Sequence, residues 1–411
     1  MVRNVVILGA GFAGLPLAHK LLKDTIPKVK DAKLILISAS THFYWNMAAV
    51  RAVVPDQVPE DKLFRPIKEG FAKYPSSQLE LVFGQAKTVD IDRSVVTVNV
   101  DGTERAIPYE QLILATGSSV STNLPLKHIG STEATKAALH DLQNRINAAK
   151  SIVVAGDGVT GVETVGELAH AYGDKKSITF IVRNDYPLPG LLPSVGKAAE
   201  KELIKMKTKI IRNASVAEVK DLGASKSIIL SNGDTIPADV YLPLFGVRPN
   251  TSYLPVGLLN DRGDVKLDLT LRVTGTTNVW GLGDVGNLEA KQAIKIDRQV
   301  AHLAKNLDAI FTGRVGSLLD YKPSDKTMVF VTIGKSKGTG QMGGRKIFSW
   351  IVSSLKGRTL FIDNGAALVN GSYVKANVAD DYWICSQEDV QLHATVNVML
   401  LRLQPHASSS K

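Results

Sequence analysis

Cysteine is almost absent from this chain. The single Cys385 allows no internal disulfide, no CxxC redox centre and no cysteine zinc cluster. No apolar run approaches the length of about 18 residues that a spanning helix needs, so no transmembrane segment is expected. The histidines show no HExxH spacing, and neither GxSxG nor a GKS/T phosphate loop occurs. Zincin, serine-hydrolase and phosphoryl-transfer readings therefore lack support. The first apolar residues follow Met1 almost at once, and position 2 is Val2 rather than Gly. Neither a leader peptide nor N-myristoylation is expected.

What is present is the composition of a folded globular protein, 44% hydrophobic and 21% charged over 411 residues. That length predicts two or three domains. Lys and Arg number 49 against 39 Asp and Glu, a formal charge of +10. A basic balance fits nucleic acid or an anionic membrane, but because the basic residues are scattered rather than blocked it favours a basic surface that attracts anionic dinucleotides.

Residues 3–8 read as a short buried strand. They run into Gly9-Ala10-Gly11-Phe12-Ala13-Gly14 and then into apolar residues at helical spacing. In a strand–GxGxxG–helix unit the first glycine makes the tight turn and the second lets backbone approach a pyrophosphate. The third lets helix and strand pack closely, and the helix N-terminus offers free N–H groups to the diphosphate. A second strand is expected over 33–37. It ends at Ser38, where an acidic residue would grip a ribose hydroxyl more strongly.

The pattern recurs about 147 residues later. A strand over 151–155 leads into Gly156-Asp157-Gly158-Val159-Thr160-Gly161, a helix, and a strand over 177–182. Two such units are far more specific than one. Two further buried strands end in turns, Ala115-Thr116-Gly117 and Gly281-Leu282-Gly283-Asp284.

With these segments in hand, the chain resembles the two-dinucleotide-binding-domain flavoproteins of the pyridine nucleotide-disulfide oxidoreductase superfamily. Within them it is most similar to the apoptosis-inducing-factor-like, ferroptosis-suppressor type of NAD(P)H:quinone oxidoreductase, over roughly residues 3–371. The resemblance implies FAD on the first glycine loop, with Asp284 at the ribitol and phosphate region and Thr116 and Gly117 against the cofactor. It also implies Arg51, in Ala48-Ala49-Val50-Arg51-Ala52, reaching the flavin, and backbone near Ala86 meeting the adenine. Gly246, in Phe245-Gly246-Val247-Arg248-Pro249-Asn250, matches the segment where the family's chain returns to the FAD domain, although Leu244-Phe245 replaces the usual Ala-Thr. Glu163 matches a glutamate placed beside the nicotinamide. Read by itself it is equally a charge favoured at a helix N-terminus. Asp157 reads as a solvent-facing loop residue within the nicotinamide loop.

The implied architecture is α/β, with two Rossmann-like dinucleotide-binding domains and a small α+β interface domain. The FAD domain is expected to be discontinuous, residues 1–121 and 248–312. The NAD(P) domain spans 122–247, the interface domain 313–371, and an extension of unassigned role 372–411. Hairpins are expected over 85–107, helices over 133–149 and 291–311, and a strand over 328–333 followed by a glycine-rich hairpin. Alternating apolar residues from Val390 to Val398 suggest a strand, and the serine-rich end suggests disorder.

Residues 40–54 lack the cysteine pair of a thiol–disulfide enzyme, so electrons leave the flavin directly for an external acceptor. Phe43, Tyr44 and Trp45 fit either a flat acceptor pocket or core beneath the flavin. The resemblance implies a quinone, and the residues alone do not choose the acceptor. In the second unit Val182 stands where an NAD-binding acid would sit, and Arg183 follows. This favours NADPH over NADH, with both used. Two other readings remain: a redox-sensing signalling protein with a basic nucleic-acid surface, and a biosynthetic flavin oxidoreductase. The cytoplasm is the expected location, with peripheral attachment to a membrane or lipid-droplet surface at most.

Overall fold

Residues 3–314, 316 and 318–373 are described in the computed structural model of the chain. The expected strand at 390–398, the serine-rich end and Cys385 lie outside them.

Two parallel sheets organise the molecule. The first has five strands in the order Val279–Gly281, Gln111–Leu114, Arg3–Leu8, Ala32–Ser38, Leu79–Phe83. All neighbours in it run parallel. The second has four parallel strands in the order Lys209–Ile211, Ser177–Ile181, Ser151–Ala155, Val240–Pro243. The strands are short apolar runs such as Val5-Val6-Ile7-Leu8 and Ile152-Val153-Val154-Ala155, buried on both faces, as parallel sheets require. The helices Gly14–Asp24 and Val159–Tyr172 follow the two glycine loops.

Each parallel sheet is covered on one side by an antiparallel three-stranded sheet. Strands Gln85–Asp90, Val95–Val100 and Thr103–Pro108 bury Val89, Val96 and Val98 against Val6, Leu8 and Ile37. Strands Val216–Asp221, Lys226–Leu230 and Thr235–Ala238 bury Ile228 and Leu230 against Val153 and Ile181. The chain passes between the parallel sheets twice, and the two passages pair: Ser118–Val120 runs antiparallel to Val247–Pro249.

A third antiparallel sheet, Met328–Ile333, Lys337–Met342 and Arg345–Lys346, packs on the helix Val159–Tyr172 and on the short helix Ser349–Val352. The glycine-rich stretch after Ile333 is thus a hairpin, as expected. Gly338 and Gly340 lie so close to Val331 and Val329 that a Cβ would meet their carbonyl oxygens at 2.9 and 2.3 Å. The expected helices are present as Thr132–Ala148, started by the Ser131 side chain accepting from Ala134 N–H, and Ala293–Phe311.

Candidate functional site

The two glycine loops share one geometry. Gly9 and Gly156 have φ of +109° and +121°, which side chains rarely adopt, and a Cβ on either would strike the carbonyl oxygen of Ala115 or Leu244 at 2.3 or 2.4 Å. At Gly14 and Gly161 a Cβ would fall 1.8 and 1.7 Å from the carbonyl oxygens of Gly9 and Gly156. The middle glycines differ. A Cβ on Gly11 or Gly158 meets nothing within 4 Å. The outer glycines are fixed by the protein's own backbone, and the middle ones face open space in front of a helix N-terminus. That is the cradle a diphosphate fills, so the residues fit a dinucleotide in each unit.

The first loop opens onto a cavity of about 1060 Å³. Gly9, Ala10, Gly11, Phe12 and Ala13 form part of its wall, together with Ser38, Ala86, Thr116, Gly117 and Asp284. Val159, Thr160 and Glu163 bring the second unit to the same cavity. Met328, Val329, Phe330, Leu355 and Phe361 close it with an apolar wall from the third unit.

Asp284 sits at the hub of a polar network within this cavity. Its carboxylate accepts from Lys127 Nζ at 2.8 Å and from Ser118 Oγ at 2.6 Å, and Lys127 also donates to Ser118 Oγ. Burial works to raise the Asp284 pKa. The Lys127 charge, the hydrogen bonds from Lys127 and Ser118, and the charge of Lys291 outweigh it and hold the carboxyl below its ordinary range. Thr116 Oγ1 donates to the Asn250 carbonyl, which ties the Ala-Thr-Gly turn to the returning segment.

Glu163 is 4% exposed. Its Oε1 accepts from Lys356 Nζ at 2.7 Å and from the backbone N–H and hydroxyl of Thr332. Lys356 Nζ also donates to the Phe330 carbonyl. The pair joins the second unit to the third at the cavity wall. Lys356 lies in the π-helical turn Ser353–Gly357, a rare form frequent at functional sites. Sequence reasoning missed Lys127, Ser118 and Lys356. Each reaches its carboxylate across more than 150 residues of chain, and no local spacing announces it.

Three expectations are corrected. Arg51 does not reach the cavity. It is 3% exposed and makes a two-pronged pair with Glu167, at 2.9 and 2.7 Å, while its remaining N–H groups donate to the carbonyls of Gly357 and Arg358. With all three of its nitrogens bonded, it clamps the first unit to the other two. Asp157 does not face solvent. It is 3% exposed, and its carboxylate accepts from Arg183 N–H and from Asn184 Nδ2. It therefore fixes the turn after the second strand. Gly246 is absent from the cavity wall. Its φ of +75° and a Cβ contact of 2.5 Å with Ser121 Oγ make it a turn glycine between the paired passages.

The aromatic run divides. Phe43 and Tyr44 line the cavity, whereas Trp45 is core, with Nε1 donating to the Leu360 carbonyl. Phe12 of the glycine loop meets Phe43 and Trp45 edge-on at 5.0 and 5.1 Å. Ser38 borders the cavity, but its hydroxyl donates to the Ser40 carbonyl within its own turn. Arg183 is exposed and lines a separate depression of about 400 Å³ with residues 184–193. Among the described residues its guanidinium has no partner. No cluster of metal-ligating side chains occurs among the described residues, and no helix there is long and apolar enough to cross a membrane.

Two dinucleotide cradles, the first on the cavity and the second sending the start of its helix to the same cavity, define the class: a flavoprotein oxidoreductase that uses a pyridine nucleotide. The chain belongs to the pyridine nucleotide-disulphide oxidoreductase family, whose model matches residues 3–304 and whose members depend on FAD and NAD(P)H. It is 39% identical to the oxidoreductase ptaL of Pestalotiopsis fici over 90% of this chain and 100% of the relative. It is 25% identical to ferroptosis suppressor protein 1 of Homo sapiens, over 87% of this chain and 94% of the relative. In fold it is similar to the sulfide:quinone oxidoreductase of Aquifex aeolicus, with a TM-score of 0.74, 16% identity, and 98% and 96% of the two chains covered.

Proposed function

We propose that this chain is an NAD(P)H:acceptor oxidoreductase in which a quinone takes the electrons, with NADPH preferred as donor. The observation that carries the reading is the single cavity on which Gly9–Ala13, Glu163 and an apolar wall from the third unit converge. In this scheme residues 1–121 and 248–312 hold FAD, 122–247 hold the nicotinamide nucleotide, and 313–371 close the cavity. FAD, when bound, supplies the chemistry that accepts hydride from the nicotinamide and passes electrons onward.

The chain's own residues position and insulate. The loop from Gly9 to Gly14 with Asp284, Thr116, Gly117 and Ala86 would hold FAD. The loop from Gly156 to Gly161 with Arg183 would hold the donor, and Asp157 sets the turn that carries Arg183. Glu163 keeps the Lys356 side chain at the cavity wall, where it would place a positive charge beside the reacting groups. Met328, Phe330 and Phe361 supply an apolar wall suited to an apolar acceptor. The chain's only cysteine, Cys385, cannot form a dithiol relay by itself. The preference for NADPH rests on the unpartnered Arg183 and the lack of a carboxylate at Val182.

A biosynthetic oxidoreductase with one metabolite as acceptor is the second reading. The 39% identical relative ptaL is described only as an oxidoreductase, with no quinone named as its acceptor, which keeps this reading beside the first. Steady-state oxidation of NADPH against a short panel of quinones decides between them. Turnover with several quinones supports the first reading, and failure with all of them supports the second.

A further inference from the structure

The excess positive charge is concentrated in one place. Residues 326–362 contain seven Lys or Arg and no Asp or Glu, which leaves 42 basic against 39 acidic residues in the rest of the chain. Most of the net charge of +10 thus comes from one 37-residue stretch. Lys356 is taken by Glu163, but Lys335, Lys337, Arg345, Lys346 and Arg358 are exposed, and none has an ion-pair partner among the described residues.

Two large aromatic side chains stand among these cations. Phe348 is 58% and Trp350 54% exposed, whereas Trp45 and Trp280 are buried. The hydrogen bonds hold them beside the cationic hairpin. Gly338 N–H donates to Ser349 Oγ at 3.0 Å, Ile347 N–H donates to the Gly340 carbonyl at 2.9 Å, and Ser353 Oγ donates to the Lys335 carbonyl at 3.1 Å. The aromatic pair, the turn carrying Lys335 and Lys337, and the Arg345–Lys346 strand therefore belong to one small rigid unit.

We propose that this face is a docking surface for an anionic lipid bilayer, with Phe348 and Trp350 entering the headgroup layer and the cations meeting lipid phosphates. Exposed Trp and Phe lose little in water-facing packing and gain apolar contact at a headgroup boundary, where Trp also keeps a partner for its N–H. Four unpaired cations, Lys335, Lys337, Arg345 and Lys346, with no acid between them in the chain, match the negative surface of such a membrane. Single-stranded nucleic acid would also meet cations and aromatics, but it calls for a groove that tracks its backbone. Neither cavity described above includes Phe348 or Trp350. The proposal is independent of the electron acceptor, because these side chains lie outside the cavity.

The test is co-sedimentation of the intact yellow protein with vesicles of phosphatidylcholine alone or mixed with phosphatidylserine. Binding is expected only to the mixed vesicles and is released by high salt. The F348A/W350A double variant should bind at least tenfold more weakly. The K335E/K337E variant should do the same, since each cation near the surface is worth about fivefold. Lys87→Glu, in another unit, should change nothing. NADPH oxidation with a water-soluble acceptor should match wild type in all variants, which shows that they fold and separates this proposal from the assignment of function. Equal binding of wild type and both double variants, or no preference for the anionic vesicles, would overturn the proposal. So would a dimer in solution that F348A/W350A dissolves, or tighter binding to an oligonucleotide than to the vesicles.

Discussion

In the first nucleotide unit the second strand ends at Ser38, whose hydroxyl is spent on the Ser40 carbonyl of its own turn. In the second unit it ends at Ile181, and a buried carboxylate from the glycine loop, Asp157, reaches across to hold Arg183 and Asn184. The outer glycines of the two loops are held alike, down to Cβ clearances of 1.8 and 1.7 Å at the third glycine. The comparison teaches where each kind of information sits. The outer glycines are dictated by backbone contact, the middle one leaves open space, and together they fit either unit to a diphosphate. The residues beyond the second strand are where the two units differ, and the proposed choice of nucleotide rests on them.

The comparison breaks most severely at the third glycines. Gly14→Ala should abolish FAD retention, because the methyl cannot coexist with the Gly9 carbonyl, and the preparation should be colourless. Gly161→Ala should leave a yellow protein whose flavin NADPH no longer reduces. If both variants lost FAD equally, the two loops would not serve separate nucleotides.

Next in size is the clamp between the units. Arg51 and Glu167 are 3% and 2% exposed. Removing one partner strands a buried charge, at about 3–5 kcal/mol. Arg51→Ala should lower the melting temperature sharply in a thermal scan, while Arg51→Met, which lacks the charge but fills space, should lower it less if Glu167 is replaced by Gln alongside. A melting temperature unchanged in Arg51→Ala would mean that the clamp carries no load.

Asp284→Ala should weaken FAD retention by about tenfold or more, the worth of one hydrogen bond to a charged group. Dialysis followed by measurement of bound flavin checks it, and unchanged retention would remove Asp284 from the cofactor site. Arg183→Ala should raise the Michaelis constant for NADPH roughly ten- to a hundredfold, corresponding to roughly 1.5–3 kcal/mol for a charge-assisted contact, and leave NADH nearly unchanged. Equal effects on the two donors would show that Arg183 does not read the 2′-phosphate.

The effect on acid stability comes last, because opposing groups partly cancel in it. Burial pushes His19 down to about 4, against the bond from its ring to the Val369 carbonyl, and burial likewise pushes His128 down to about 4. Both are neutral in the fold and would take up a proton on unfolding, so stability is lost as pH falls from about 6.5 towards about 4, by about 1.4 kcal/mol per pH unit for each group. Asp297 opposes this. Burial pushes it up to about 6, so its contribution is lost as pH rises through that range. Two histidines against one carboxyl leave a net loss on acidification. Denaturant melts at pH 7 and pH 5 should show a smaller difference for His19→Gln than for wild type.

Much of the fold was legible in the sequence because parallel strands announce themselves. Val5–Leu8 and Ile152–Ala155 are unbroken apolar runs, each met at once by a glycine loop. The antiparallel pairing of 118–120 with 247–249 carries no such signal, since its two strands lie far apart in the chain. Arg51 and Asp157 were misread for one physical reason. Both were assigned from position along the chain, and what decides their role is a partner far away in it: Glu167 for Arg51, and the turn at Arg183 for Asp157. Lys356 was invisible for the same reason, since its partner Glu163 lies 193 residues away. The acid-free stretch 326–362 was legible, but net charge summed over the whole chain conceals it.

The central claim is that both cradles serve one cavity. Anaerobic mixing of the yellow protein with one equivalent of NADPH, followed by its visible absorbance, tests it most directly. The account predicts that the oxidised flavin band bleaches in wild type, persists in Gly161→Ala, and returns in wild type when a quinone is added. A wild-type protein that holds FAD and binds NADPH yet keeps its oxidised band would contradict it.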